Sequence, residues 1–174
     1  MRIALHVPTV LATAVLLGAS CSFAFASEPQ SFTAKIDGAA YAGDDDTINF
    51  VPLPSGAFSL GASTAGAASW PPPKTPIDRL SIVCSGFEEG KPLKLGSKEF
   101  DNSSCDATFS KGASEAGKEA DVYTLDKNGT ATSFEITTAH GKVIEGRFEL
   151  HLKNKAGKAL AITDGHFVAE DRQL

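Results

Sequence analysis

The run Arg147-Phe148-Glu149-Leu150-His151-Leu152-Lys153 alternates without a break, three apolar residues set between four polar ones. Only an extended strand, whose successive side chains point to opposite faces, gathers Phe148, Leu150 and Leu152 on one side. Such a strand has one dry face and one wet face, which is the habit of antiparallel sheets. The same period recurs along the chain. It groups Phe32, Ala34 and Ile36 in Ser31 to Ile36, Ile48 and Phe50 in Thr47 to Val51, and Phe58 and Leu60 in Ala57 to Ala62. It also groups Leu80, Ile82 and Cys84, and turns Phe134 and Ile136 inward with Ser133 and Glu135 outward. Asp121 to Leu125 reads as a further strand.

Turn signals separate these runs. Asp37-Gly38 favours a tight hairpin because both positions accept a positive φ, with Ala39 to Ala42 as the return strand. Lys127-Asn128-Gly129 reads as a second hairpin, and Asn154-Lys155-Ala156-Gly157 turns the chain into Ala159 to Ile162. Phe167 and Val168 extend the last strand beyond Asp164-Gly165. No window of twelve or more residues carries a helical stripe; the best helical stretch is Ser114 to Ala120, short and flanked by Gly112 and Gly117. The expectation is an all-β chain: a single antiparallel β-sandwich or flattened barrel over residues 27–174, with one long proline-rich loop.

Residues 1–26 have a different character. Arg2 stands near the start, an apolar run spans Val10 to Leu17, and no further charge occurs before Glu28. Ala24-Phe25-Ala26 is the small-x-small pattern of a signal-peptidase site, so a secretory signal is expected with cleavage between Ala26 and Ser27. The alternative is lipidation at Cys21 after Leu17-Gly18-Ala19-Ser20, which would tether the chain to a membrane by acyl groups. No other apolar run is long enough to span a bilayer. The expected location is therefore periplasmic or secreted, or membrane-tethered on the lipidation alternative.

Removing that segment changes the charge and the cysteine count together. The chain of 174 residues has 16 basic and 21 acidic side chains, a net charge of −5, and losing Arg2 takes the balance to −6. A pI near 5.3 offers no basic face to release counterions from phosphates, which argues against nucleic-acid binding. Of the three cysteines, Cys21 goes with the leader, and Cys84 and Cys105 remain to pair in an oxidising compartment. Their spacing is unlike the C-x-x-C of a redox pair.

Two segments are irregular. Gly61 to Ala68 is rich in small residues and leads into Trp70-Pro71-Pro72-Pro73-Lys74-Thr75-Pro76. Consecutive prolines hold a polyproline-II path and cannot donate to a sheet. Long structured loops are where binding tends to reside. Trp70, the single tryptophan, is the candidate anchor of a binding loop made with Pro71, Pro72 and Pro73. The competing expectation folds Trp70 back as a plug for the end of the barrel. The second segment, Ser110 to Glu119, is polar.

The ends of the chain carry a resemblance. Phe32-Thr33-Ala34-Lys35-Ile36-Asp37-Gly38-Ala39-Ala40-Tyr41 is similar to the F-x-A-x-I/V-D-G-x-x-W/Y opening of a broad group of exported bacterial β-proteins, many of them lipoproteins. The late segments Gly129-Thr130, Val143 to Leu150 and Ile162-Thr163-Asp164-Gly165-His166-Phe167 resemble the same group. The resemblance covers about a third of the exported part and rests on turn glycines and core positions. It implies a compact β-sandwich or barrel and an envelope location, and it supplies no catalytic residues. The proline loop and the Cys84/Cys105 pair depart from the pattern.

Candidate chemistry is sparse. Asp44-Asp45-Asp46 lacks the spacing of a calcium loop, and neighbours on a strand point apart, so a solvated acidic loop is expected. Asp126 to Thr130 imitates a calcium loop that a hairpin explains, and Asn102-Ser103-Ser104 and Asn128-Gly129-Thr130 match glycosylation acceptors by pattern alone. Asp164 and His166 point the same way if extended, with His140 as a conceivable third ligand, but nothing in the spacing requires zinc. There is no Gly-x-Ser-x-Gly elbow and no phosphate loop. Lys91, Lys94 and Lys98 are balanced by Glu88, Glu89 and Glu99. No catalytic, metal or cofactor site is expected. The expected function is an exported envelope binding protein, inhibitor- or immunity-like through its loops, with a protein or glycan partner; the alternatives are a structural or adhesive envelope protein, then a hydrolytic or metal-dependent enzyme.

Overall fold

A computed structural model of the chain describes residues 29–67, 69–71, 75–112, 119–127 and 131–171. The expected signal segment, its Ala26/Ser27 cleavage site and Cys21 lie outside the described residues, as do Pro72, Pro73 and most of the helical candidate at 114–120.

The chain forms eleven strands: β1 (Ser31–Ile36), β2 (Ala39–Ala42), β3 (Asn49–Pro52), β4 (Ala57–Ser63), β5 (Arg79–Ser85), β6 (Leu93–Leu95), β7 (Cys105–Lys111), β8 (Asp121–Leu125), β9 (Ser133–His140), β10 (Val143–Asn154) and β11 (Ala159–Glu170). A single short helix, α1 (Ser97–Asp101), and a 3-10 turn at Asp45–Thr47 are the other regular elements among the described residues. All strands belong to one sheet, antiparallel throughout its ladders, in the order β2-β1-β11-β10-β8-β7-β5-β4-β3. β9 pairs with the first half of β10 and carries β6 on its far edge.

The expected all-β class is what the chain adopts, as one sheet curled into a half-barrel. Two bridges draw its margins together, Gly43 to Thr64 and Phe50 to Asp171. The Asp37-Gly38 hairpin is present, with φ of 48° and 82° at the two residues. The strand beginning at Ala159 runs through Asp164-Gly165 as a bulge, where Asp164 takes φ 52° and the register shifts against both β1 and β10. The hairpin expected at Lys127-Asn128-Gly129 requires correction. Asn128 and Gly129 lie outside the described residues, but β8 and β9 on either side do not pair with each other. Each takes a different part of the same edge of β10, Val143 to Glu149 facing β9 and Leu152 to Asn154 facing β8.

The inside of the curl is filled by rings. Tyr123, Phe109, Tyr41, Phe32, Phe148, Phe167, Phe134, Phe58, Phe50 and Phe87 form an unbroken series, each ring centroid 5.1 to 6.5 Å from the next. Two glycines make room at its middle. Gly146 lies directly opposite Phe167, and Gly165 directly opposite Phe148. Each ring lies across the glycine it faces, so that a Cβ on either glycine would fall within 2.6 Å of ring atoms. This packing puts the aromatic series against the backbone of β10 and β11 and leaves the outer face of the sheet to the polar half of the alternation.

The paired cysteines lie at opposed positions on β5 and β7, joined by a disulfide with a Cα–Cα distance of 4.1 Å. Both sulfur-bearing residues are buried. Among the described residues no helix is long and apolar enough to cross a membrane.

Candidate functional site

The loop from Thr64 to Asp78 joins β4 to β5, and its base is tightly held. Thr64 N–H donates to the Asp78 carbonyl at 2.9 Å, and Asp78 N–H donates to Thr64 Oγ1 at 3.1 Å. Gly66 N–H donates to Asp44 Oδ2 at 2.8 Å, and Gly112 N–H donates to Asp78 Oδ1 at 2.8 Å. Ile77 is buried beneath the loop. Two turns carry the chain outward, Ala67 N–H to Thr64 O and Ser69 N–H to Gly66 O.

The tip is open to solvent. Trp70 is 90% exposed, and Ser69, Pro71, Thr75 and Pro76 are exposed with it. The Trp70–Pro71 peptide bond is cis. The expectation that Trp70 folds back as a plug is therefore corrected. Tyr41 is buried, with its hydroxyl donating to the Ala62 carbonyl at 3.1 Å and its ring edge-on to Phe109. Burial, with the nearby Asp78 charge, pushes the Tyr41 phenol well above its ordinary range. Every other described aromatic side chain is buried.

Asp44-Asp45-Asp46 behaves differently from the reading as neighbours on a strand. The 3-10 turn at Asp45–Thr47 folds the three carboxylates to within 4.8 Å of one another. Asp44 caps that turn by accepting from Asp46 N–H, while its other oxygen holds the Trp70 loop at Gly66. The cluster thus has a local structural task, as a clasp between the β2–β3 connection and the loop.

Among the described residues, two of the other concavities are open surface grooves, and a third, about 620 Å³, lies against Asp121, Val122 and Asn154. One, of about 400 Å³, crosses the outer face of β6, β9, β10 and β11, lined by Lys94, Glu135, Arg147, Glu149 and Asp164. Three of these charges are engaged: Arg147 Nε and Nη2 donate to Glu135 Oε2 at 2.8 and 2.7 Å, and Lys35 Nζ lies 2.9 Å from Asp164 Oδ2. The hydrogen bond to Asp164, and then its charge, raise the Lys35 ammonium above its ordinary value. His166 faces Arg147 and Thr33 across the strands, and His140 sits at the β9–β10 turn opposite Val143. The other groove, about 430 Å³, lies at the opposite end of the β4–β5 pair against Pro52, Leu53, Pro54 and Phe87.

No family model matches the chain, and no curated protein or solved structure matches it significantly.

Proposed function

We propose that the chain is an exported binding protein of the cell envelope that holds its partner through the Trp70 loop. The observation that carries the reading is the 90% exposure of Trp70 at the tip of a loop whose base is pinned by hydrogen bonds. A large aromatic held in water on a fixed base brings much contact area at little entropic cost. An isolated tryptophan in solvent is also the residue type that most often anchors an interface. The signal-like residues 1–26, with cleavage after Ala26, support export, and the buried Cys84–Cys105 bond fits an oxidising compartment. An inhibitor- or immunity-like role is the concrete form of this reading, with the net charge of −6 left after loss of Arg2 favouring encounter with cationic partners.

Affinity capture from the native host, followed by binding measurements on the partner obtained, tests the proposal. Trp70→Ala is expected to weaken that complex by about 30-fold, equivalent to about 2 kcal/mol. Melting temperature should be unchanged, because the indole is 90% exposed. An unchanged affinity in the Trp70→Ala variant would remove the loop from the binding site.

A further inference from the structure

The β4–β5 pair carries a different feature at each of its ends. At the end where Ser63 faces Arg79 the chain leaves as the Trp70 loop. At the end where Ala57 faces Ser85 lies the groove of about 430 Å³. The two ends are about 20 Å apart along the strands. Among the described residues, Trp70 at 90% and Leu53 at 52% are the two most exposed large apolar side chains. Trp70 stands at the first end, and Leu53 lines the groove at the second. One end offers a knob and the other a hole.

The groove is built to keep its shape. Val51, Pro52, Leu53, Pro54 and Phe87 line it, and Glu89 is its one charged residue. Two of these are prolines, whose rings fix the local backbone. Gly56 N–H donates to the Leu53 carbonyl at 2.9 Å and closes the turn between β3 and β4. Phe87 N–H donates to the Gly56 carbonyl at 2.9 Å and ties the segment after β5 to that turn. The Phe87 ring is held from within, edge-on to Phe50 at 5.1 Å and to Phe58 at 6.0 Å. A cleft of a few hundred cubic ångströms with apolar walls takes a group the size of an indole with a neighbouring proline ring. Trp70 and Pro71 present that pair of rings to solvent.

We propose that Trp70 of one copy seats in the Leu53 groove of the next, so that the chain associates head to tail with itself. This rests on the reading of the Trp70 loop as the binding element, and it names the partner as a second copy. Every copy carries both halves of the contact. Trp70 does not fill the groove of its own copy, which lies at the far end of the β4–β5 pair and leaves the indole in solvent. Knob and groove are different surfaces, so the contact is heterologous. Each added copy leaves one indole free at one end and one groove free at the other, and the series continues rather than closing as a two-fold dimer. The indole against Phe87, Leu53 and the proline rings supplies the apolar burial. A contact centred on one side chain buries less than the ~1,200 Å² of a stable interface. Association therefore belongs to concentrated protein, between ~10 µM and ~1 mM. Each copy is net negative, so salt strengthens the contact by screening the repulsion between copies. A cationic partner at Trp70 would respond to salt in the opposite sense.

The full exported protein should be followed by sedimentation velocity and by tryptophan emission across that concentration range, at low and high salt. Trp70 is the single tryptophan, so the emission reports this contact alone. The average mass is expected to rise past that of a dimer while the emission moves to shorter wavelength, and both changes should grow with salt. Trp70→Ala and Leu53→Asp alter exposed residues, and the thermal midpoint of each checks that it folds. Each variant alone is expected to lose association at least tenfold. Mixed one to one, the two should form a heterodimer and nothing larger, since Trp70→Ala keeps the groove and Leu53→Asp keeps the indole. A chain that stays monomeric with unshifted emission up to ~1 mM overturns the proposal. So does a mass that stops at the dimer, an association that salt weakens or that survives in either variant, or a mixture that stays monomeric. A host protein captured through Trp70 by a chain that remains monomeric also overturns self-association, while leaving the loop as a binding element.

Discussion

A variant with alanine at Gly146 is expected to lose about 3 kcal/mol of stability and to unfold at a markedly lower urea concentration. The added Cβ would stand 2.2 Å from the Glu135 carbonyl oxygen and 2.5 Å from Phe167 Cζ. Neither neighbour can retreat. Glu135 belongs to the β9–β10 ladder, and the Phe167 ring is fully buried, stacked 5.5 Å from Phe134. A single domain of this size is held by about 5–15 kcal/mol, so the loss is a large fraction of the whole. Gly165→Ala should behave alike, because its Cβ would meet the Phe148 carbonyl oxygen at 2.5 Å and the Phe148 ring at 2.6 Å. Gly61→Ala is the control. Its Cβ would meet only the Asn49 side-chain amide at 3.2 Å, on a half-exposed residue that can swing away. The expected cost there is under about 1 kcal/mol. If Gly146→Ala cost no more than Gly61→Ala, the packing of rings onto bare backbone would not be what sets the curl of the sheet.

The alternation that reveals β10 in the sequence works because Phe, Leu and Leu are unambiguous against Arg, Glu, His and Lys. β1, its hairpin and β2 are legible for a related reason, since Asp37-Gly38 marks a turn that few other residues tolerate. Where the signal is thin the reading fails. β6 is three residues long, Leu93-Lys94-Leu95, and gives no period to count. α1 spans five residues and holds only Phe100 inward, below the length at which a helical stripe exists. β7 alternates Cys105, Ala107 and Phe109 inward, but alanine and cysteine are weak markers among Asp106, Thr108 and Ser110. The pairing of β8 and β9 with one edge of β10 is a tertiary choice that no local dipeptide encodes. Trp70 illustrates the same limit at the candidate site. Its proline-rich context announces a loop, yet whether the indole points into the barrel or into solvent is a tertiary outcome that no local pattern encodes, and here the indole is 90% exposed.

Reduction of the Cys84–Cys105 bond is expected to lower the melting temperature by about 10 °C, corresponding to about 3 kcal/mol. The bond spans a sequence separation of 21 and closes the excursion that carries β6 and α1 away from the β5–β7 ladder. At its base Ser85 N–H also donates to the Ser104 carbonyl at 2.9 Å. The excursion has further anchors, since Phe100 is buried and Leu93 to Leu95 pair with β9. The reduced chain should therefore keep its far-ultraviolet spectrum while unfolding earlier, and Cys84→Ala with Cys105→Ala should match it. Because the two cysteines are 2% and 1% exposed, reductant should reach them only when denaturant opens the fold. Thiol titration of native protein purified without reductant should find no reactive thiol from this pair. Two free thiols there, or melting unaffected by reduction, would contradict the account. The comparison also bears on export, because a bond between these residues forms readily in an oxidising compartment and rarely in a reducing one. On the proposed envelope location, protein taken from the host should carry it fully formed. If residues 1–26 direct export as proposed, the same chain expressed without them should accumulate in the reduced state, with the lower melting temperature.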